Sequence, residues 1–87
     1  MRIVFTKTFA DDYQYLPHHI QLLVDKSLLL LADNPKHPSL RIKRVQGTRE
    51  KLFEGRVSRN YRFTFQIDAN VYLLRTVSPH NHVLKSP

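Results

Sequence analysis

The chain has 87 residues, no cysteine, and 14 Lys and Arg against 7 Asp and Glu, a formal charge of +7. That length holds one small domain with a single core, and the absence of cysteine excludes a disulfide framework and a zinc finger. A hydrophobic share of 41% is too high for wholesale disorder. The charge is unevenly placed: residues 36–87 carry 11 Lys and Arg against 3 Asp and Glu (+8), whereas residues 1–35 carry 3 against 4 (−1). A basic surface confined to one half is the electrostatic footprint of a polyanion partner.

Residues 2–6 read as a short strand, because Ile3, Val4 and Phe5 are β-branched or aromatic. Thr8 is the expected cap of a first helix over residues 9–15, with Asp11 in the acidic position of a capping box. Pro17 suits the first turn of a second helix, where Ile20, Leu23, Val24, Leu28 and Leu31 keep helical spacing. Leu29 and Leu30 widen its apolar stripe, so this helix is expected to be buried along much of its girth. Asn34-Pro35 ends it, and Pro38 prolongs the break. Gln21, Asp25 and Lys26 interrupt residues 20–31, which are too few to cross a bilayer. The N-terminus has no basic segment leading into an apolar run. A cytoplasmic protein without membrane contact is the expectation.

From Leu40 the period changes to two. Leu40, Ile42 and Val45 mark a strand, bulged near Arg44, and Gly47-Thr48 is a turn. Residues 51–58 form the next strand, with Phe53 and Val57 on one face and Leu52, Glu54 and Arg56 on the other. Arg59-Asn60 turns the chain into residues 61–67, where Tyr61, Phe63, Phe65 and Ile67 face the core and Arg62, Thr64 and Gln66 face away. Asp68-Ala69-Asn70 is a tight turn. Residues 71–77 are nearly all apolar, as in a central strand covered on both faces. The order β-α-α-β-β-β-β gives an α+β fold, with a small antiparallel-rich sheet packed on a two-helix hairpin and its other face free.

Strand phase places Arg56 and Arg62 on that free face, on antiparallel neighbours about 5 Å apart. Two guanidinium groups so placed suit one phosphate that gains charge in a transition state, although Arg56 also has Glu54 nearby as an ion-pair partner. His80 and His82 follow the last strand, stiffened by Pro79, and histidine both takes and gives a proton near neutral pH. With no Asp, Glu or Cys beside them they make a poor metal site, so neither metal nor cofactor is expected. Arg41, Lys43, Arg44, Arg49 and Lys51 bracket Gly47 and suit a phosphate backbone held without sequence reading. His18 and His19 read as surface residues, and His37 as a weak substrate contact.

Five blocks together resemble the RelE/ParE superfamily of bacterial toxin–antitoxin systems: the HPSLRIK run from His37 to Lys43, Gly47, the FEGRV run from Phe53 to Val57, the NYRFTF run from Asn60 to Phe65, and SPHNH from Ser78 to His82. The resemblance spans nearly the whole chain. It implies the fold just derived and a cognate antitoxin that wraps the toxin. RelE-type members are metal-free ribonucleases that cut mRNA at the ribosome; ParE-type members inhibit DNA gyrase and usually lack the histidine that His80 matches. The RelE-type reading makes Arg62 the phosphate-stabilising arginine, Arg56 its neighbour, His80 the acid–base residue with His82 beside it, and Arg41, Lys43, Arg44 and Lys51 the RNA-binding residues. Two departures stand out. Leu84 occupies the region where nuclease members often carry an aromatic, and Phe53 and Gly55 fall where some RelE-type members have paired lysines. The second proton-transfer group then falls to His82, Glu54 or the ribosome.

Overall fold

Phe63 and Phe65 lie two apart on one strand, and Val24, Leu28 and Leu31 lie three or four apart on one helix; both sets are buried in a single core. That convergence organises residues 1–47 and 51–80, which the computed structural model describes. The elements run β1 (Arg2–Phe5), α1 (Lys7–Gln14), α2 (His18–Asp33), a 3₁₀ turn (Pro38–Leu40), β2 (Lys43–Arg44), β3 (Leu52–Arg56), β4 (Tyr61–Asp68) and β5 (Val71–Pro79). The sheet order is β1-β5-β4-β3-β2, with β1 parallel to β5 and the other neighbours antiparallel. The expected α+β layering of helices on one face of an antiparallel-rich sheet is what the chain adopts. None of its described helices is long and apolar enough to cross a membrane.

The core is largely aromatic. Phe65 stacks on Phe53 and Phe63, with centroids 5.5 and 5.8 Å away, and meets Tyr72 edge-on at 5.5 Å. Burying each such ring contributes about 1.5–3 kcal/mol. Gly55 pairs with Phe63 across β3 and β4, and the ring lies over its Cα, so a Cβ there would come within 2.6 Å of Phe63 Cε1 and closer still to Cζ. The layers are also joined by polar contacts. Asp12 on α1 accepts the Val77 amide of β5 at 3.2 Å. The Tyr13 hydroxyl donates to Asp25 at 2.8 Å and the Gln21 amide donates to the Tyr13 carbonyl at 2.8 Å, clasping α1 to α2.

Several local expectations are corrected. The cap of α1 is Thr6, not Thr8: its Oγ1 accepts the Phe9 amide at 3.2 Å and donates to the Leu74 carbonyl at 2.8 Å. One residue there ends a strand and starts a helix, so α1 begins earlier than the capping-box spacing indicates. Helix α2 is buried on one side only, through Ile20, Val24, Ser27, Leu28 and Leu31, while Leu22 and Leu29 are 55% and 72% exposed. A single sheet covers a single stripe of helix. Ile67 is 51% exposed, because it lies towards the end of β4 beyond the core. Leu40 belongs to the 3₁₀ turn rather than to a strand, and β2 is two residues long. The register irregularity lies between Thr64 and Phe65, opposite the exposed Arg75, instead of at Arg44. Strand β5 carries Arg75, Thr76 and Ser78 among its apolar residues, and the helices cover only one of its faces.

Candidate functional site

Register partners on antiparallel strands project to the same face. Phe53, Gly55, Phe63 and Phe65 take the helix side, so their alternates take the open side. The first open-face row is Lys43, Glu54, Thr64 and Thr76 across β2 to β5. The second is Arg56, Arg62 and Ser78 across β3 to β5. Arg56 and Arg62 are thus direct partners, as phase predicts.

Two like charges face each other here, and the surrounding groups show how that is sustained. Glu54 is buried at 7% exposure and its Oε1 lies 3.5 Å from Lys43 Nζ. The carboxylate therefore pairs with Lys43, where the sequence had offered Arg56. Arg62 turns its Nη1 into the β3–β4 connection, donating to the carbonyls of Ser58 at 2.6 Å, Tyr61 at 3.0 Å and Arg59 at 3.3 Å. Those bonds hold the guanidinium in one pose. Burial first, then the Arg56 charge and more weakly Arg41, pull the Arg62 proton affinity below the ordinary arginine range, while Glu54 acts the other way. The group stays cationic. Arg41, Arg56 and Arg62 thus form a cluster beside one buried carboxylate, Glu54. Thr64 and Thr76 complete the floor, their hydroxyl oxygens 2.6 Å apart.

His80 follows the last residue of β5. Pro79 pairs with Tyr61, and the His80 amide donates to the Asn60 carbonyl at 2.6 Å, which fixes the residue beside the β3–β4 connection where Arg62 is anchored. Its Nδ1 is buried and, among the described residues, has no hydrogen-bond partner. His82 and Leu84 lie outside the described residues, as does Arg49.

The fold gathers the basic residues only in part. Arg41 and Lys43 belong with the cluster, through Arg62 and Glu54 respectively. Arg44 pairs with Phe53 and so points to the other face, and Lys51 precedes β3 at the end away from Arg56. Both are exposed. Among the described residues no three His, Cys, Asp or Glu gather as a metal site. Two contributors were not singled out from sequence. The Thr64–Thr76 pair was legible only as alternation, and Asp12 had no signal, since its partner lies 65 positions away.

No family model matches the chain, and no curated protein matches it. Solved structures do. Toxin YafQ from Escherichia coli BL21(DE3) superposes with a TM-score of 0.78 at 11% identity, covering 95% of this chain and 98% of that one. A YoeB/ParE toxin from Agrobacterium tumefaciens gives 0.76 at 15% identity, covering 92% and 99%. A chain of the RelB–RelE antitoxin–toxin complex from Methanococcus jannaschii gives 0.75 at 20% identity, covering 97% and 98%. End-to-end coverage at such low identity means that the architecture is shared while most side chains are not. The chain has the fold of the RelE/ParE toxins.

Proposed function

We propose that the chain is the toxin of a type II toxin–antitoxin pair and a metal-independent, ribosome-dependent mRNA endoribonuclease that inhibits translation in the cytoplasm. The observation that carries this reading is the Arg56–Arg62 register pair on the sheet face left open by the helices, with Arg41 close enough to act on the Arg62 charge. Preorganised cations on an open surface suit a scissile phosphate better than they suit a structural ion pair. RNA supplies its own nucleophile. The 2′-oxygen bonds to phosphorus, the bond from phosphorus to the 5′-oxygen breaks, and the products are a 2′,3′-cyclic phosphate and a 5′-hydroxyl. Arg62 and Arg56 stabilise the pentavalent state, His80 with His82 as the second group takes the proton from the 2′-hydroxyl and delivers one to the leaving 5′-oxygen, and Arg41 and Lys43 position the backbone, with Arg44 and Lys51 as outlying contacts. The antitoxin partner is supported by the RelB–RelE complex and by the E. coli DinJ–YafQ complex, in which folds of this kind are paired with antitoxins.

The test is induced expression followed by primer extension on cellular mRNA, with a gyrase supercoiling assay in parallel. New mRNA 5′ ends with normal supercoiling are expected. Blocked supercoiling with intact mRNA would replace this reading with gyrase inhibition.

A further inference from the structure

Strand β2 pairs with Phe53 and Glu54 of β3, so among the described residues the outer edge of β3 past Gly55 has no strand beside it. The Ser27 hydroxyl of α2 donates to the Arg56 carbonyl at 3.3 Å and satisfies that edge. Between α2, the Pro38–Leu40 turn and this edge lies a cleft of about 490 Å³, within the range of about 300–1,000 Å³ usual for small-ligand sites. Lys26 and Arg41 supply cations to it, Arg56 borders it at the strand edge, Ser27 and Ser39 supply hydroxyls, Leu23, Leu30, Pro38 and Val57 supply aliphatic surface, and among the described residues no acidic one lines it.

We propose that this cleft holds the nucleotide flanking the cut bond, its phosphate on Lys26 and Arg41 and its sugar and base on the aliphatic wall; the proposal rests on the nuclease reading above. Three observations support it. The cleft is continuous with the transfer site, because Arg56 lines the cleft and is the register partner of Arg62. Arg41 is held in a left-handed backbone conformation, φ 45° and ψ 47°, which a non-glycine residue rarely adopts. Leu40, 1% exposed, anchors that turn in the core, and the Arg41 amide donates to the Pro38 carbonyl at 3.2 Å. The strain presents the guanidinium at the junction of cleft and cluster. Finally, the two cations Lys26 and Arg41 beside open aliphatic surface match a ligand that is anionic at one end and apolar at the other. A single-stranded nucleotide is such a ligand, and among the described residues no aromatic ring lines the cleft, so contact with the base is tolerant of sequence.

The test uses the full chain and a fluorescein-labelled, 2′-O-methylated RNA hexamer, which binds without being cut, beside the matching dinucleotide. Anisotropy gives Kd from about 50 to 200 mM salt, and each single-strand phosphate released lowers the salt slope by about 0.7. Lys26→Ala and Ser39→Ala are exposed changes outside the core, and thermal unfolding checks each fold. Lys26→Ala is expected to weaken hexamer binding about three- to tenfold, to lower the slope by about 0.7, and to leave the dinucleotide unchanged. Arg62→Ala weakens both ligands. Wild-type affinity and slope in Lys26→Ala and Lys26→Glu, with cleavage intact, overturn the cleft alone. Lys26→Glu that abolishes antitoxin binding while RNA binding is untouched also overturns it, giving the cleft to an acidic protein segment. A wild-type chain that neither binds the hexamer nor cleaves mRNA overturns both readings.

Discussion

Gly55→Ala adds one methyl at the tightest point of the sheet. The new Cβ meets Phe63 Cζ, Cε1 and Cε2, the last two at 2.6 and 3.0 Å. Phe63 is 0% exposed and stacks on Phe65, so its ring has no free direction in which to move. Overpacking of this kind costs about 1–3 kcal/mol, and the rigid neighbour places the site at the upper end. Alanine recovers roughly 0.5–1 kcal/mol of backbone entropy relative to glycine in a strand, leaving a net loss of about 2 kcal/mol. For a domain of this size 1 kcal/mol is roughly 4–8 °C, so the melting midpoint falls by roughly 8–16 °C. Thermal unfolding followed by circular dichroism measures it. Phe63→Leu removes the clashing ring atoms, so the double variant is less destabilised than the sum of the singles by at least about 1 kcal/mol. Gly47→Ala is the contrast: its φ of 79° strains any side chain, but no atom of the described residues lies within 4 Å, so its cost of about 1 kcal/mol is not rescued by Phe63→Leu. Strict additivity of Gly55→Ala and Phe63→Leu would refute the steric argument.

Arg62→Ala is expected to slow mRNA cleavage about 100- to 1,000-fold, and His80→Ala about 100- to 10,000-fold, at matched soluble expression. Full cleavage by both variants removes the mechanism. Arg62→Ala also loosens the β3–β4 connection, since three carbonyls lose their donor, so its midpoint should fall by a few degrees. Asp12→Ala leaves the Val77 amide without its acceptor and should cost about 1–3 kcal/mol in urea unfolding, where a neutral result would mean that α1 is held by its apolar face alone. The hydrogen bond to Asp25, followed by burial and the Asp25 charge, raises the Tyr13 hydroxyl above its ordinary value of 10.0. The folded state then keeps this proton longer than the unfolded state does, so the contribution is complete below about pH 10 and fades as pH rises through the folded value. Tyr13→Phe should therefore lower stability at neutral pH and flatten part of the alkaline loss; a variant matching the parent chain at both neutral and alkaline pH would exclude the Tyr13–Asp25 bond.

The layer order, the pairing of Arg56 with Arg62 and the position of His80 after the last strand were legible because they depend on period and turn chemistry, which are local. Alternation through Tyr61, Phe63 and Phe65 puts Arg62 on the opposite face whatever the helices do. The cap at Thr6, the two-residue length of β2 and the bulge opposite Arg75 were not legible, since each is set by a partner element distant in sequence. Thr6 is chosen as the cap because Leu74 is there to receive its hydroxyl.

Sequence alone determined a basic sheet half and two arginines in phase on the same face, because side-chain direction in a strand is fixed every second residue. Tertiary structure decided what surrounds them. It put Lys43, not Arg56, on Glu54, turned the Arg62 Nη1 into the carbonyls of its own turn, and left the β3 edge open for Lys26 and Arg41 to line. Charge partners and clefts are properties of elements brought side by side, and residues 26, 41 and 56 share a surface only after α2, the 3₁₀ turn and β3 have packed.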